Sequence, residues 1–121
     1  MLAKQNRLNR AEDFRAVMKS GRKVATEHLV IYLKRDEAEP HARFGFVVAK
    51  TVGGAVNRNL VKRRLRELAR ESLKTSFLPT DNSSSFQVVV RAQPGAAEIG
   101  WNRLREEFFT GIKISVAKTV S

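Results

Sequence analysis

The sequence predicts a small α+β domain, a two-layer sandwich with the element order α-β-β-α-β-α. Three segments place apolar residues at the spacing of an amphipathic helix, and three short runs are rich in β-branched and aromatic residues, which is typical of strands. The chain has 121 residues, of which 42% are hydrophobic, enough for one core and too few for two. Because the sequence has no internal repeat, linker or low-complexity tract, we expect one domain over residues 1–121.

The charge of the chain favours a polyanionic partner. Its 23 Lys and Arg residues against 12 Asp and Glu residues give a net charge of +11. Such an excess is typical of nucleic-acid-binding proteins, although an anionic membrane surface would satisfy it too. The lack of Cys excludes disulfides and thiolate metal sites and suits a cytoplasmic location. No apolar run approaches the roughly 18 residues of a membrane span, so we expect no membrane partner.

The N-terminal segment predicts an arm and a first helix. Residues 1–8 carry two basic residues and no apolar period, so we expect a flexible basic arm that orders on binding. Asn9, with Glu12 three residues later, resembles a capping box, and Gly21 favours an end to the helix. One face of this helix would hold Ala11, Phe14, Val17 and Met18.

Two strands are predicted next, over residues 28–34 and 43–50. We expect the acidic segment 35–42 to join them as a hairpin loop. Gly45 removes a side chain where another backbone or a ligand could come close. Tyr32 suits equally an interface position, with its hydroxyl in water, and a place in a binding cleft.

The C-terminal third predicts a loop, a strand and a helix. Residues 79–85 are polar and contain Pro79, which favours a loop. Three consecutive Val residues in the predicted strand 86–92 indicate burial on both faces, in the middle of the sheet or beneath helices. A last helix extends to about residue 116, and we expect Trp101 to lie in the hydrophobic core of the domain. The apolar stripe of this helix would hold Trp101, Leu104, Phe108 and Ile112.

The chain is organised around a basic helix that follows the turn at Gly53 and Gly54. Residues 58–70 contain six basic residues and one acid, and so supply five of the eleven net positive charges. At about 100° per residue, one side of this helix is apolar and suited to the core. The opposite side carries a set of cationic and amide side chains that we name the basic ridge: Asn59, Lys62, Arg63, Arg66 and Arg70.

The basic ridge is unlike an ordinary solvated helix face. Solvated faces usually mix charges of both signs, with Glu placed before Lys or Arg at i,i+4. Here Lys62 and Arg66, and then Arg66 and Arg70, are like-charge pairs at that spacing. Such pairs cost stability unless a polyanion neutralises them. The pattern therefore predicts a nucleic-acid backbone as the ligand.

The run K-T-V-G-G-A-V-N-R-N-L-V-K-R-R-L-R-E, residues 50–67, closely resembles the signature of the bacterial ribonuclease P protein subunit. That signature reads roughly K-K-x-G-x-A-V-x-R-N-R-x-K-R-x-x-R-E. The chain departs from it at Thr51, where the family usually has Lys, and at Leu60, where it usually has Arg. Weaker similarity extends over nearly the whole chain.

The resemblance implies a protein that binds a large catalytic RNA and the 5′ leader of precursor tRNA. The RNA would carry the chemistry, with Mg²⁺ held mainly by RNA phosphates, and the fold would have an uncommon left-handed crossover. The residues implied in binding the RNA subunit are Arg58, Asn59, Lys62, Arg63 and Arg66, with Lys50 and Arg70 in support. Those implied in a leader-binding cleft are Phe14, Met18, Tyr32 and Val47. In the family two aromatics four residues apart border this cleft, and Met18 stands at the second position.

Other functional classes find less support in the sequence. His28 and His41 are the only histidines and lack ligand-spaced carboxylates, so we expect no metal site and no catalytic residue of the protein's own. No phosphate-binding loop or nucleophile elbow points to a small-molecule substrate. The main alternative is a non-catalytic RNA chaperone or ribosome-associated protein. A DNA-binding regulator ranks lower, because its recognition helix would more often carry base-reading Asn, Gln or Ser among the basic residues, and Asn59 is the only one on the basic ridge.

Overall fold

A computed structural model of the chain describes residues 2–37, 39–75 and 85–120. Within these ranges the fold is α+β, as predicted, with three helices and four strands. The element that sequence patterns missed is the first strand, which is only four residues long and buries one side chain. Residues 79–84 of the predicted loop lie outside the described residues, and its last residue, Ser85, begins a strand. The elements in chain order are α1 (Ala11–Ser20), β1 (Arg22–Ala25), β2 (Leu29–Asp36), β3 (Arg43–Val47), α2 (Ala55–Lys74), β4 (Ser85–Ala92) and α3 (Trp101–Val120).

The strands form one sheet in the order β1-β2-β4-β3. β4 pairs with β2 antiparallel and with β3 parallel. The predicted hairpin between residues 28–34 and 43–50 is therefore wrong, because β4 lies between these strands. Val88, Val89 and Val90 of β4 are fully buried. A hairpin would have left this apolar strand at an edge of the sheet. Its central position pairs both of its edges, and the core clusters on the two faces of the sheet bury its Val side chains.

The larger core lies on the face of the sheet that α2 and α3 cover. α2 contributes Val61, Leu65 and Leu68, and all three side chains are fully buried. The predicted apolar side of the basic helix is thus confirmed. α3 contributes the buried side chains Leu104, Phe108 and Ile112.

Trp101 does not belong to this core, and its assignment there was wrong. The side chain is 39% exposed, whereas Leu104, one turn later, is completely buried. Trp101 is the first residue of α3, where the helix has not yet come over the sheet. The helical period identifies the correct face but does not indicate where along the helix burial begins.

A smaller core cluster lies on the opposite face of the sheet, beneath α1. It consists of Leu8, Val17, Val30, Tyr32 and Val89. The sheet with α2 and α3 forms the predicted two-layer sandwich, and α1 adds a partial third layer. The parallel strands β3 and β4 are connected through α2; the left-handed sense of this crossover stays a prediction.

The ends of α1 differ from the predicted capping. The helix is preceded by Arg10, and no side-chain hydrogen bond caps it, so the capping box at Asn9 is not formed. Gly21 does follow the helix, but with extended backbone angles. A Cβ at Gly21 would lie 2.5 Å from the carbonyl oxygen of Val17 and 3.0 Å from that of Leu33. Glycine is required there by close packing of α1 on β2.

The N-terminal segment packs on the domain, where a flexible arm was expected. Leu2 is 1% exposed and Leu8 is buried as well. The Leu8 amide donates to the carbonyl of Phe44, with 2.9 Å between nitrogen and oxygen, and Arg7 forms a parallel bridge to the same residue. The Asn6 side-chain amide donates to the Ala42 carbonyl over 2.8 Å. The segment therefore covers the outer edge of β3.

A buried carboxylate joins the turn between β1 and β2 to α3. Glu107 Oε1 accepts hydrogen bonds from the Thr26 hydroxyl and the His28 amide, each over 2.7 Å. Its Oε2 lies 2.7 Å from Nδ1 of His28. Burial alone would raise the pKa of the Glu107 carboxyl, but the hydrogen bonds from His28 and Thr26 outweigh burial and hold this pKa below its ordinary value. The network ties an edge of the sheet to its helical layer.

None of the helices among residues 2–37, 39–75 and 85–120 combines the length and apolar character needed to span a membrane.

Candidate RNA interface

The basic helix begins at a turn that only glycine fits well. Gly53 has a φ of +149°, a region that L side chains rarely adopt. It ends the 3-10 turn Lys50–Val52, and Gly54 then precedes α2. This turn directs α2 across the sheet, so that its apolar side packs inward and the basic ridge faces solvent.

The structure places the basic ridge on the outer surface of α2, as predicted. Asn59, Arg63, Arg66 and Arg70 are exposed, and Lys62 is half-buried. Their buried counterparts on the same helix are the core residues Val61, Leu65 and Leu68. The helix therefore presents cations and one amide to the outside while the sheet holds it in place.

Arg58 and Lys50 flank the basic ridge. Lys50 is exposed in the 3-10 turn before α2. Arg58 is half-buried, and its Nε is enclosed without a hydrogen-bond partner. The enclosed Nε cannot reach an external ligand, so a contact of Arg58 with an anion would use the other nitrogens of its guanidinium.

Two neighbours change the predicted electrostatics of the helix. Arg64 belongs to the basic run in sequence, but its Nη1 donates to the Ile99 carbonyl over 3.1 Å and so braces the segment before α3. Glu67 lies 4.0 Å from Arg70, so the end of the basic ridge is not free of acids. The strongest cationic surface is therefore around Lys62, Arg63 and Arg66.

The four residues predicted to border a leader-binding cleft come together on the α1 side of the sheet, and we name this group the aromatic site: Phe14, Met18, Tyr32 and Val47. Tyr32 belongs to the smaller core cluster and is only 7% exposed, while Phe14, Met18 and Val47 pack against that cluster and are half-buried. Tyr32 therefore acts mainly as the floor of this site. The more accessible side chains, Phe14, Met18 and Val47, form its walls.

Phe14 lies directly over Gly45 of β3. A Cβ at Gly45 would come within 2.5 Å of two Phe14 ring carbons. A close approach at Gly45 was predicted for another backbone or a ligand, but the group that approaches is the aromatic ring of Phe14. This contact fixes where the ring stands at the edge of the sheet.

A cleft joins the two sets of residues. It has a volume of about 230 Å³, and its lining includes Phe14, Gly45 and Phe46 on one side and Lys62 and Arg66 on the other. The basic ridge and the aromatic site are thus parts of one continuous surface. Sequence reasoning could not predict this, because residues 14, 45 and 66 are brought together only by the packing of three separate elements.

Two cations beside the aromatic site were not identified from the sequence. The strand register places Arg91 next to Val47 on β3 and Val30 on β2, on the same face of the sheet. Lys23 stands opposite Tyr32 in the same way. Both cations are exposed. The signal available in the sequence was the alternation of side chains along each strand, but it gives no strand order.

The described residues 2–37, 39–75 and 85–120 contain no group of three or more His, Asp or Glu side chains that could hold a metal ion.

Comparison with known proteins identifies the family. Residues 2–115 match a family model described as Ribonuclease P. The chain belongs to the ribonuclease P protein family. Membership confirms the resemblance seen in residues 50–67, and it gives the chain a role in RNA binding and tRNA processing, within the endoribonuclease complex of that name.

Curated relatives match over most of their length. A ribonuclease P protein component of Pseudarthrobacter chlorophenolicus is 41% identical over 108 residues, which cover 89% of this chain and 75% of the relative. One from Streptomyces avermitilis is 43% identical over 115 residues, covering 88% and 89%.

Solved structures of the family share the fold. The Staphylococcus aureus ribonuclease P protein gives a TM-score of 0.78 at 27% identity, covering 90% of this chain and 94% of the other. The Thermotoga maritima protein gives 0.73 at 24% identity, covering 92% and 96%, a likeness that concerns the fold alone.

Proposed function

We propose that this chain is the protein subunit of a ribonuclease P that removes the 5′ leader from precursor tRNA. The observation that carries the proposal is the cleft shared by Lys62 and Arg66 with Phe14 and Phe46. A cationic helix suits a folded RNA backbone, and an aromatic wall suits an unpaired strand. A protein with both on one continuous surface can hold the catalytic RNA and the leader at the same time.

The basic ridge, with Arg58 and Lys50, binds the catalytic RNA in this proposal. Exposed arginines present several donors each and match phosphate oxygens well. Docking relieves the like-charge repulsion within α2, because phosphates replace neighbouring cations as the nearest charges. Arg70 contributes less than Arg63 or Arg66, since Glu67 already lies beside it.

Phe14, Met18, Tyr32 and Val47 bind the leader. Phe14 offers a ring face to a base, supported from behind by β3 at Gly45. Met18 offers a polarisable but non-aromatic contact in the position where the family usually has a second ring. Arg91 and Lys23, on the same face of the sheet, stand where phosphates of an extended strand would pass.

The bond cleavage itself belongs to the RNA. Mg²⁺ held mainly by RNA phosphates would supply an activated water for phosphodiester hydrolysis. The protein positions the substrate and reduces phosphate repulsion between two large RNAs, so it lowers the Mg²⁺ concentration that activity requires. The complex would work in the cytoplasm, with precursor tRNA as its substrate.

The deciding experiment is cleavage of a leader-bearing precursor tRNA by the catalytic RNA of the same organism at low Mg²⁺, with and without the protein. We expect accurate leader removal to be stimulated. Substitution of Arg63 and Arg66 by Ala should abolish the stimulation, while Lys113→Ala, which removes an exposed cation from α3, should not.

Tight RNA binding without stimulation would contradict the proposal. It would favour a role as an RNA chaperone or ribosome-associated protein. Such a protein would also bind RNA through the basic helix, but it would have no preference for precursor over mature tRNA. Equal affinity for duplex DNA and structured RNA would instead favour a DNA-binding protein.

A further inference from the structure

A second cleft, of about 440 Å³, opens where α2 and α3 meet. Its lining consists of Glu67, Arg70, Glu71, Lys74, Thr75 and Trp101. None of these residues faces the aromatic site on α1. Arg70 also ends the basic ridge, so the cleft continues the cationic surface of α2 towards the start of α3.

Trp101 is an unusual side chain to find in such a position. It is one of three large apolar side chains exposed among the described residues, together with Val56 and Ile114. Leu104, Phe108 and Ile112 of the same helix are fully buried, whereas Trp101 is 39% exposed. Because Trp101 also lines an open cleft, part of its indole surface is accessible to a ligand.

The frame around Trp101 is fixed by contacts between the two helices. Arg64 on α2 donates to the Ile99 carbonyl, two residues before α3. Arg105, one turn after Trp101, forms hydrogen bonds of 3.0 Å from Nε and from Nη2 to the two oxygens of Glu71. These links hold α3 against α2, so a ligand would meet a preformed site.

The charges in the cleft suit one nucleotide better than a row of phosphates. Glu71 is neutralised by Arg105, and Glu67 lies beside Arg70, which leaves Lys74 as the cation at the open end. Lys74 and Arg70 line this cleft, and their donors can contact the phosphate on either side of the nucleotide. An aromatic wall with donors, acceptors and a cation matches an unpaired nucleotide.

We propose that Trp101 is a stacking platform for an unpaired nucleotide of the RNA that docks on the basic ridge, with Lys74 and Arg70 beside its phosphates. This inference rests on the proposed function, since it takes the catalytic RNA as the source of the nucleotide. It extends the RNA-binding surface from α2 to the N-terminal end of α3.

Trp101 is the only tryptophan in the chain, so its fluorescence reports on this cleft alone. The experiment titrates the full chain with the catalytic RNA of ribonuclease P and follows both binding and tryptophan emission. We expect quenching that saturates together with binding, because a stacked base quenches an indole efficiently.

Two substitutions at residue 101 distinguish aromatic stacking from simple apolar contact. Trp101→Leu keeps an apolar side chain without a π-face and should weaken RNA binding by about 5- to 150-fold, the usual range for loss of one base stack. Trp101→Phe keeps a π-face and should retain most of the affinity. Neither removes a charge, so the salt dependence of binding should stay as in the unsubstituted protein. Unchanged thermal unfolding checks that both variants fold.

The outcomes distinguish this inference from the proposed function. The basic ridge is tested by the loss of RNA affinity when its residues are substituted. If that loss is seen, but RNA does not change Trp101 emission in the unsubstituted protein or Trp101→Leu binds RNA normally, the stacking platform is wrong. The cleft would then be available to a protein partner. If the ridge substitutions have no effect on RNA affinity, the proposed function itself fails and the platform fails with it.

Discussion

Phe14 lies over Gly45, and this contact sets the position of the aromatic ring in the cleft. The ring is half-buried, with part of its surface packed on β3 and part open to the cleft. A side chain in this state contributes both to packing and to ligand binding. Substitutions at residues 14 and 45 can measure the two contributions separately.

Phe14→Ala should weaken binding of leader-bearing precursor tRNA by about 1 to 3 kcal/mol, the range for loss of one base stack. Binding of mature tRNA, which lacks a leader, should change much less. The measurement is the ratio of the two dissociation constants for each protein. Equal loss for both RNAs, or a marked fall in thermal stability, would assign Phe14 to the core instead.

Gly45→Ala should reproduce the effect of Phe14→Ala without removing the ring. A Cβ at this position meets the ring carbons at 2.5 Å, so the ring must swing away from its place over β3. Because both substitutions disable the same contact, the double variant should bind the leader no more weakly than Phe14→Ala alone. Additive losses would show that Gly45 acts on something other than Phe14.

Individual residue roles were predictable where they depend on local pattern and unpredictable where they depend on a neighbour. The exposure of Arg63 and Arg66 follows from the helical period alone. Arg64 has the same side chain one position away, yet its partner is a carbonyl in a segment 35 residues later in the chain. No local pattern in the sequence marks that pairing.

At the scale of elements, α2 combines a core-packing side with a surface that repels itself. Its 20 residues carry no acid in the first turn, and the positive end of the helix dipole there disfavours nearby cations. The helix is kept in place by its buried side and by the brace from Arg64. The surface is therefore ready for polyanions before any RNA arrives.

The affinity for the catalytic RNA should fall with salt at a log-log slope of roughly −4 to −5, if five or six side chains neutralise phosphates. Arg63→Ala should make this slope shallower by about 0.7 to 0.9, one phosphate contact. Arg64→Ala provides the matched control. It should leave the slope unchanged and lower the stability of the protein by about 0.5 to 1.5 kcal/mol, through loss of its hydrogen bond to Ile99.

A slope near −1 for the unsubstituted protein would contradict the assignment of the basic ridge. An equal change of slope for Arg63→Ala and Arg64→Ala would contradict the distinction between the two arginines. Filter binding or fluorescence anisotropy at about four or five salt concentrations gives the affinities from which both slopes are obtained.

The helices were predicted more accurately than the sheet. A helix is formed by residues near one another in sequence, so apolar spacing identified α1, α2 and α3. Strand order depends on contacts between distant segments, and nothing in residues 28–34 or 43–50 shows that β4 will lie between them. The three Val residues of β4 predicted a buried strand without identifying its neighbours.

At the scale of the whole molecule, the hydrogen bonds of Glu107 connect two ends of the fold. They join the turn after β1 to the middle of α3, and the Glu107 carboxylate that accepts them is itself buried. The folded pKa of Glu107 is lowered, so the folded state holds its proton less tightly than the unfolded chain does.

The pH dependence of stability should therefore include a contribution from Glu107. The unfolded chain takes up the proton first as the pH falls, so this stabilisation is complete above the unfolded pKa of about 4.3 and is lost as the pH falls through the lower folded value. Glu107→Gln should lower stability at neutral pH and flatten its pH dependence in that acidic range. Urea unfolding at a series of pH values measures both.

Glu106→Gln is the matched control for this substitution, because Glu106 is the adjacent residue and is exposed. It makes the same change in net charge and should leave the acid dependence of stability as it was. If both variants show the same pH profile, the network around Glu107 does not contribute to stability in the way its geometry indicates.

The position of β4 in the sheet has a consequence for synthesis of the protein. β4 is the last strand to leave the ribosome, yet β2 and β3 both pair with it and not with each other. Until β4 emerges, β3 has no partner strand and the sheet surface on which α2 packs is incomplete. Strand pairs between segments that are distant in sequence also form slowly. The most cationic part of the nascent chain thus leaves the ribosome before its supporting sheet exists, in a compartment crowded with RNA. Early contacts with nucleic acid at that stage would act on an unfolded segment, and completion of the sheet is what converts the same residues into a shaped surface.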